Sequence, residues 1–245
     1  MGGRRGSRFA VVLVGLGLAT TLGPVAGEAH LFHSVYAPRD NQLTRDYLVL
    51  VQLAEYPYER FDVAAAVYRG AERVRLKPGG FRTWLRRPLE PGLVFKAGHQ
   101  LNRWQGHLKA EARRVDRRWG TTLDSRIEAA LAARDAPGVR AAFRELFVYL
   151  LAELFEATAA RLAEPEAPLQ LYQFVDRYFT VAHEAYLNLH HRPSALALRA
   201  TLAAVERALG EPARGIPPAP EAFEQQRRRF LRTLATTLGV HWTPA

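Results

Sequence analysis

The sequence predicts an all-α fold, a single bundle of six to eight helices after an N-terminal signal segment. Apolar residues recur with a helical period through nearly the whole chain, and prolines and glycines separate the periodic segments. No alternating pattern of the kind that predicts strands competes with this period. The apolar content of 48% supports a sizeable core, and without cysteine no disulfide can help to hold the fold. We therefore expect one helical domain over residues 30–245.

Residues 1–29 have the pattern of a secretory signal peptide. Three arginines precede an apolar run from Phe9 to Gly23, and small residues suited to a cleavage site follow it. The run is shorter and richer in glycine than the roughly 20 apolar residues of a membrane-spanning helix. We expect export to the periplasm or the extracellular space, with an uncleaved membrane anchor as the alternative.

Eight segments have a helical period, and residues that cap or break helices separate them. In order they are residues 40–56, 59–75, 93–119, 125–134, 139–163, 169–191, 195–209 and 224–238. The first two are amphipathic, and Gly70 weakens the end of the second. Prolines and glycines interrupt the chain before the third, which stops at Gly120. Asp124 is the expected cap of the fourth.

The fifth segment is predicted to lie at the centre of the bundle. Its run LFVYLLAELF (146–155) is apolar on almost every side, which is typical of a buried helix. A proline-containing loop separates it from the sixth segment, and Ser194 is the expected cap of the seventh. A proline-rich link at about 210–221 precedes the last, amphipathic helix.

Positive charge is concentrated in residues 69–126, which we call the basic block. The chain has a formal net charge of +10, and the block holds fifteen Lys and Arg against five Asp and Glu. Such a block attracts anions, so anionic lipid head groups and anionic envelope polymers are the candidate partners. Solvated helix faces without a partner are the alternative. Nucleic acid matches the charge but not the predicted compartment, and we do not expect it as a partner.

The sixth segment carries the main candidate for a metal site. Asp176, His183 and His190 are spaced by seven residues, so an α-helix places them on one stripe beside its core face, to which the helical period assigns Leu189. Carboxylate and imidazole groups are ligands of zinc, copper and iron. Seven residues rise about 10.5 Å, however, so one metal ion cannot contact both imidazoles. Other helices must complete any site.

Two other segments offer further ligands. Glu153 lies in the predicted central helix, and its buried carboxylate needs a partner. His107 and Glu111 are four residues apart at the edge of the core face of the long basic helix. In the alternative without a metal, Glu153 pairs with an arginine and His183 donates to a carbonyl or to Asp176.

His30 and His33 follow the signal segment and form a second candidate metal site. Cleavage after Gly27 or Ala29 brings His30 to the third or the first position of the mature chain. Amine and imidazole nitrogens can then chelate copper or nickel together.

These patterns favour an exported, non-catalytic helical binding protein with a transition-metal ligand, namely zinc, copper or iron. The alternative is an envelope interaction protein that docks on anionic lipid or polymer through the basic block. A metal-dependent hydrolase is a third hypothesis, but the sequence identifies neither an open coordination position nor a general base.

Overall fold

Helices dominate the part of the chain that the computed structural model describes, which comprises residues 41–70, 74–75, 94–95 and 108–242. The α-helices are α1 (Gln42–Ala54), α2 (Phe61–Tyr68), α3 (Leu108–Trp119), α4 (Leu123–Ala132), α5 (Ala136–Ala159), α6 (Ala167–Phe179), α7 (Ala185–His190), α8 (Arg192–Ala208) and α9 (Pro220–Leu238). A π-helical segment, Thr180–Glu184, joins α6 to α7 in one continuous rod. With that rod counted once, the described residues contain eight helices, which confirms the predicted helical class.

Two short strands accompany the helices. Val74–Arg75 (β1) pairs antiparallel with Val94–Phe95 (β2), with Val74 opposite Phe95. Both pairs of residues had been assigned to predicted helices. The helix predicted over 59–75 ends instead at Tyr68, since Gly70 adopts a φ of +79° that helical residues do not share.

The core is built around α5, as its apolar run predicted. Every residue from 146 to 155 is buried, and α5 packs against α4, α6 and α9. Phe147 meets the Tyr178 ring of α6 edge-on at 5.2 Å between centroids, and Phe155 lies 5.5 Å from Phe230 of α9. Burying side chains of this size stabilises the fold by about 1.5–3 kcal/mol each. Packing of this kind fixes the neighbouring helices around α5.

Polar side chains join some helix ends to distant elements. Asn41 caps α1 by accepting a hydrogen bond from the Thr44 backbone, and its amide also donates to the Tyr178 hydroxyl at 2.9 Å. Asp116 of α3 caps α4, since its carboxylate accepts from the backbone nitrogens of Leu123 at 2.6 Å and Asp124 at 2.9 Å. The predicted cap, Asp124, instead forms ion pairs with side chains of α3.

No helix within the described ranges is both long and apolar enough to cross a bilayer. The predicted signal segment, residues 1–29, lies outside these ranges.

Candidate functional site

Glu153 is fully buried in α5 and pairs with two arginines of α3. Arg114 donates to its carboxylate at 2.6 Å and Arg118 donates at 3.1 Å. Burial alone would lower the pKa of Arg114, but its hydrogen bond to Glu153 and the nearby carboxylate charges raise it overall. The arrangement matches the alternative in which Glu153 pairs with an arginine.

Glu111 belongs to the same ion-pair network. Its buried carboxylate accepts from Nε of Arg114 at 2.8 Å and from Nη2 at 2.7 Å. Arg118 extends the network outward to Glu156 at 2.6 Å. Buried carboxylates paired in this way clamp α3 onto α5, and removal of one partner would leave a charge without compensation.

Asp176 is also engaged by an arginine. Arg199 of α8 donates to Asp176 and to Glu184, and its Nη2 donates to the Thr180 hydroxyl at 2.6 Å. Its guanidinium carbon lies 4.9 Å from the centroid of the Phe179 ring. Arg199 therefore holds α8 against the π-helical segment.

His183 lies inside the π-helical segment and is fully buried. Among the described residues, no group forms a hydrogen bond with either of its ring nitrogens. Its ring centroid is 6.2 Å from that of Phe179. Burial, aided by the positive charge of Arg144, lowers the pKa of His183 to about 3. At neutral pH the imidazole is therefore neutral, and neither its donor nor its acceptor nitrogen has a partner in the described part of the chain.

The π-helical segment changes which side chains of the rod face the core. A continuous α-helix would place Leu189 on the core face, as the periodicity predicted. A π turn contains roughly one extra residue, and it rotates the following side chains around the axis. Leu187 is buried as a result, whereas Leu189 is 78% exposed. Asp176, His183 and His190, predicted to share one stripe, are half-buried, buried and exposed respectively.

In the described part of the chain, the remaining candidate metal ligands do not lie together in one site. Within the described ranges, no group of three or more histidine, aspartate or glutamate side chains could hold a metal ion. Glu111 and Glu153 both bind arginine. His30, His33 and His107 lie outside the described residues, so their part in metal binding stays a prediction.

Cations of the basic block that the structure describes largely form ion pairs within the protein. Arg113 contacts Asp124 at 2.7 Å, and Lys109 contacts Glu128 at 2.5 Å. A hydrogen bond from Arg69, together with the contacts to Lys109, lowers the pKa of Glu128 to about 2. Much of the block, from residue 76 to 93 and from 96 to 107, lies outside the described residues.

One cluster was missed by the sequence analysis and lies where α5 meets α7. The guanidinium carbon of Arg144 sits 3.9 Å from the centroid of the Tyr186 ring. The rings of His190 and His191 lie 4.6 and 5.8 Å from that ring. All four side chains are partly or fully exposed. The spacing of Tyr186, His190 and His191 could have suggested a ring cluster, but only the fold brings Arg144 to it.

Arg144 differs from Arg114 and Arg199, which are also half-buried, because no carboxylate in the described part of the chain forms an ion pair with it. Burial lowers its pKa, the Tyr186 and Tyr47 hydroxyls oppose this effect, and the positive charge of Arg140 adds to it. For Arg114 and Arg199, carboxylates outweigh burial and the pKa is raised. The cluster can thus attract a negative charge that the described part of the chain does not supply.

Comparison of the chain with protein-family models, with curated proteins and with solved structures finds no match.

Proposed function

We propose that the protein is an exported, non-catalytic helical binding protein whose ligand is an anion bound at Arg144. The observation that carries this proposal is the half-buried guanidinium of Arg144, which is stacked on Tyr186 and has no carboxylate partner among the described residues. A desolvated charge without a counter-charge is unfavourable, and a bound anion would supply the missing compensation.

The surrounding acids support this choice of ligand. Glu145, the neighbour of Arg144 in sequence, pairs with Arg126 at 2.6 Å. Glu184, two residues before Tyr186, pairs with Arg199. The nearest acidic residues in sequence are therefore engaged elsewhere, and Arg144 remains available to an external anion.

The test compares wild-type protein with two single-charge variants by titration calorimetry at constant ionic strength. Acetate, sulfate and inorganic phosphate serve as probe anions. Arg144→Gln should weaken the binding of at least one anion about tenfold or more, because charged hydrogen bonds contribute about 1.5–3 kcal/mol. Arg140→Gln is the matched control, since Arg140 lies one turn away on α5 and already pairs with Glu55 at 3.2 Å. Equal losses in both variants would contradict the proposal.

Transition-metal binding is the second candidate function, and the unpartnered imidazole of His183 favours it. Neutral imidazole is the form that binds metals. The positive charge of Arg144, which also lowers the pKa of His183, opposes a cation there. Elemental analysis of purified protein after reconstitution with zinc, copper or iron tests the idea, with His183→Ala as the variant that should lose the metal. Protein that retains no metal would remove this candidate.

Docking on anionic lipid or polymer through the basic block is the third candidate. Binding through exposed charges should weaken steeply as salt is added, because salt screens such interactions. Export itself is tested by sequencing the N-terminus of protein recovered outside the cytoplasm.

A further inference from the structure

We infer that the anion is a phosphate group, held by Arg144 together with His190 and His191. This inference rests on the proposed function and names the ligand class of the same site. It concerns a site distinct from the basic block, and of its three residues only His190 belongs to the stripe that was predicted to carry metal ligands.

The geometry supplies three donor side chains around one ring. Arg144 lies 3.9 Å from the centroid of Tyr186, and the rings of His190 and His191 lie 4.6 and 5.8 Å from it. The two imidazole centroids are 6.5 Å apart. The planar guanidinium of Arg144 carries N–H donors in a fork that matches the oxygens of a phosphate or carboxylate.

The number and spread of the donors favour phosphate over carboxylate. A planar carboxylate has two oxygens, and the fork of one guanidinium can bind both of them. A phosphate group has three strong acceptor oxygens, which point in different directions. Each imidazole brings a further N–H donor to the site. A tetrahedral anion can therefore use Arg144 and the two histidines together, whereas a carboxylate gains little from the histidines.

Exposed apolar side chains close in sequence to the two histidines favour a phosphate group carried by a lipid. Leu189 adjoins His190 and is 78% exposed, and Leu196, in the first turns of α8, is 62% exposed. Both lie close in sequence to the turn between α7 and α8, which also bears the two histidines. Free phosphate and a lipid phosphate share the same recognition chemistry, but only the lipid would also gain from contact with these leucines.

The first experiment measures whether the site prefers phosphate. Titration calorimetry on the full chain compares inorganic phosphate with acetate for the wild type and for Arg144→Gln, the double variant His190→Phe/His191→Phe, which keeps the rings but removes their N–H donors, and the control Arg140→Gln. Circular dichroism establishes that each variant is folded. Arg144→Gln should lose both anions. The histidine double variant should lose about tenfold in phosphate affinity while its acetate affinity stays the same, since one lost charged hydrogen bond corresponds to at least that factor.

The second experiment separates the sources of the phosphate group. Sedimentation measures binding to phosphatidylcholine vesicles that contain phosphatidic acid, or oleate at matched charge. We expect binding to the phosphatidic acid vesicles that depends on Arg144 and weakens in Leu189→Ser. Binding of inorganic phosphate without binding to vesicles would support the phosphate site and identify a soluble ligand.

Two results would overturn the inference. In one, acetate or oleate binds as well as phosphate and the histidine variant has no effect, which leaves the proposed anion-binding function standing. In the other, no anion binds in an Arg144-dependent way, and then the proposed function fails as well.

Discussion

Lowering the pH from 7 to 5 should reduce the free energy of unfolding by about 2 kcal/mol through His183 alone. The imidazole has a pKa of about 3 in the folded protein and an ordinary value of 6.5, because burial and the charge of Arg144 disfavour its protonated form. Below pH 6.5 the unfolded chain takes up a proton that the folded protein does not. Stability present above pH 6.5 is therefore lost as the pH falls toward 3.

The magnitude follows from the gap between the two pKa values. One pKa unit corresponds to about 1.36 kcal/mol, so the full gap would amount to about 5 kcal/mol, which is reached only below pH 3. Between pH 7 and pH 5 only part of the gap acts, which gives the loss of about 2 kcal/mol. Carboxylates with lowered pKa values, such as Asp124 and Glu128, also stabilise the folded protein, and protonation removes their contribution, but chiefly below pH 5.

Urea unfolding followed by circular dichroism at pH 7, 6 and 5 measures the effect. In His183→Leu the dependence on pH should fall by about 2 kcal/mol over this range. The same variant should be as stable as the wild type at pH 7 or more so, because an unsatisfied buried imidazole costs about 1–3 kcal/mol. His190→Leu, which removes an exposed imidazole from the same rod, is the control and should leave the pH dependence unchanged. Equal pH dependence in wild type and His183→Leu would refute the reasoning.

Three further substitutions test the ion pairs and the cap by urea unfolding. Glu153→Gln should destabilise the protein by about 3 kcal/mol, because it leaves the arginine charge at the buried end of the network uncompensated. Glu156→Gln, at the exposed end of the same network, is the control and should change stability by less than about 1 kcal/mol. Arg199→Met should cost about 1–2 kcal/mol, because it leaves two half-buried carboxylates without their arginine. Arg144→Met should change stability by less than about 1 kcal/mol, and a large loss would show a structural role. Asp116→Ala should cost about 1 kcal/mol or more, since the first turn of α4 loses its cap, and no loss would contradict the capping role.

Elements determined by local patterns were predictable from the sequence. The apolar run 146–155 identified the central helix because a helix without a polar face must be buried. The need of Glu153 for a partner followed from the same burial. Which arginines would supply it did not follow, because the choice of Arg114 and Arg118 depends on how α3 lies against α5.

The prediction of the sixth segment was limited by its assumption of a constant helical period. A π turn cannot be seen in the residue types, because it changes only the direction in which the following side chains point around the helix axis. A constant period therefore placed Leu189 in the core and His183 beside it. The cap of α4 by Asp116 and the contact of Arg144 with Tyr186 could not be predicted from the sequence either, because each joins residues from different helices. Contacts between elements depend on the three-dimensional path of the chain.

The extra residue of the π-helical segment also bears on how relatives of this protein would be recognised. A homologous chain without the π turn would align with a gap of one position in the middle of an otherwise unbroken helix, near Thr180–Glu184. In such a chain the residue equivalent to Leu189 would point inward. The ring equivalent to Tyr186 would turn away from Arg144 of α5, and the imidazole equivalent to His190 would move with it because both lie in α7. Deleting one residue from this turn would therefore separate Arg144 from the three rings while preserving the helix that carries them.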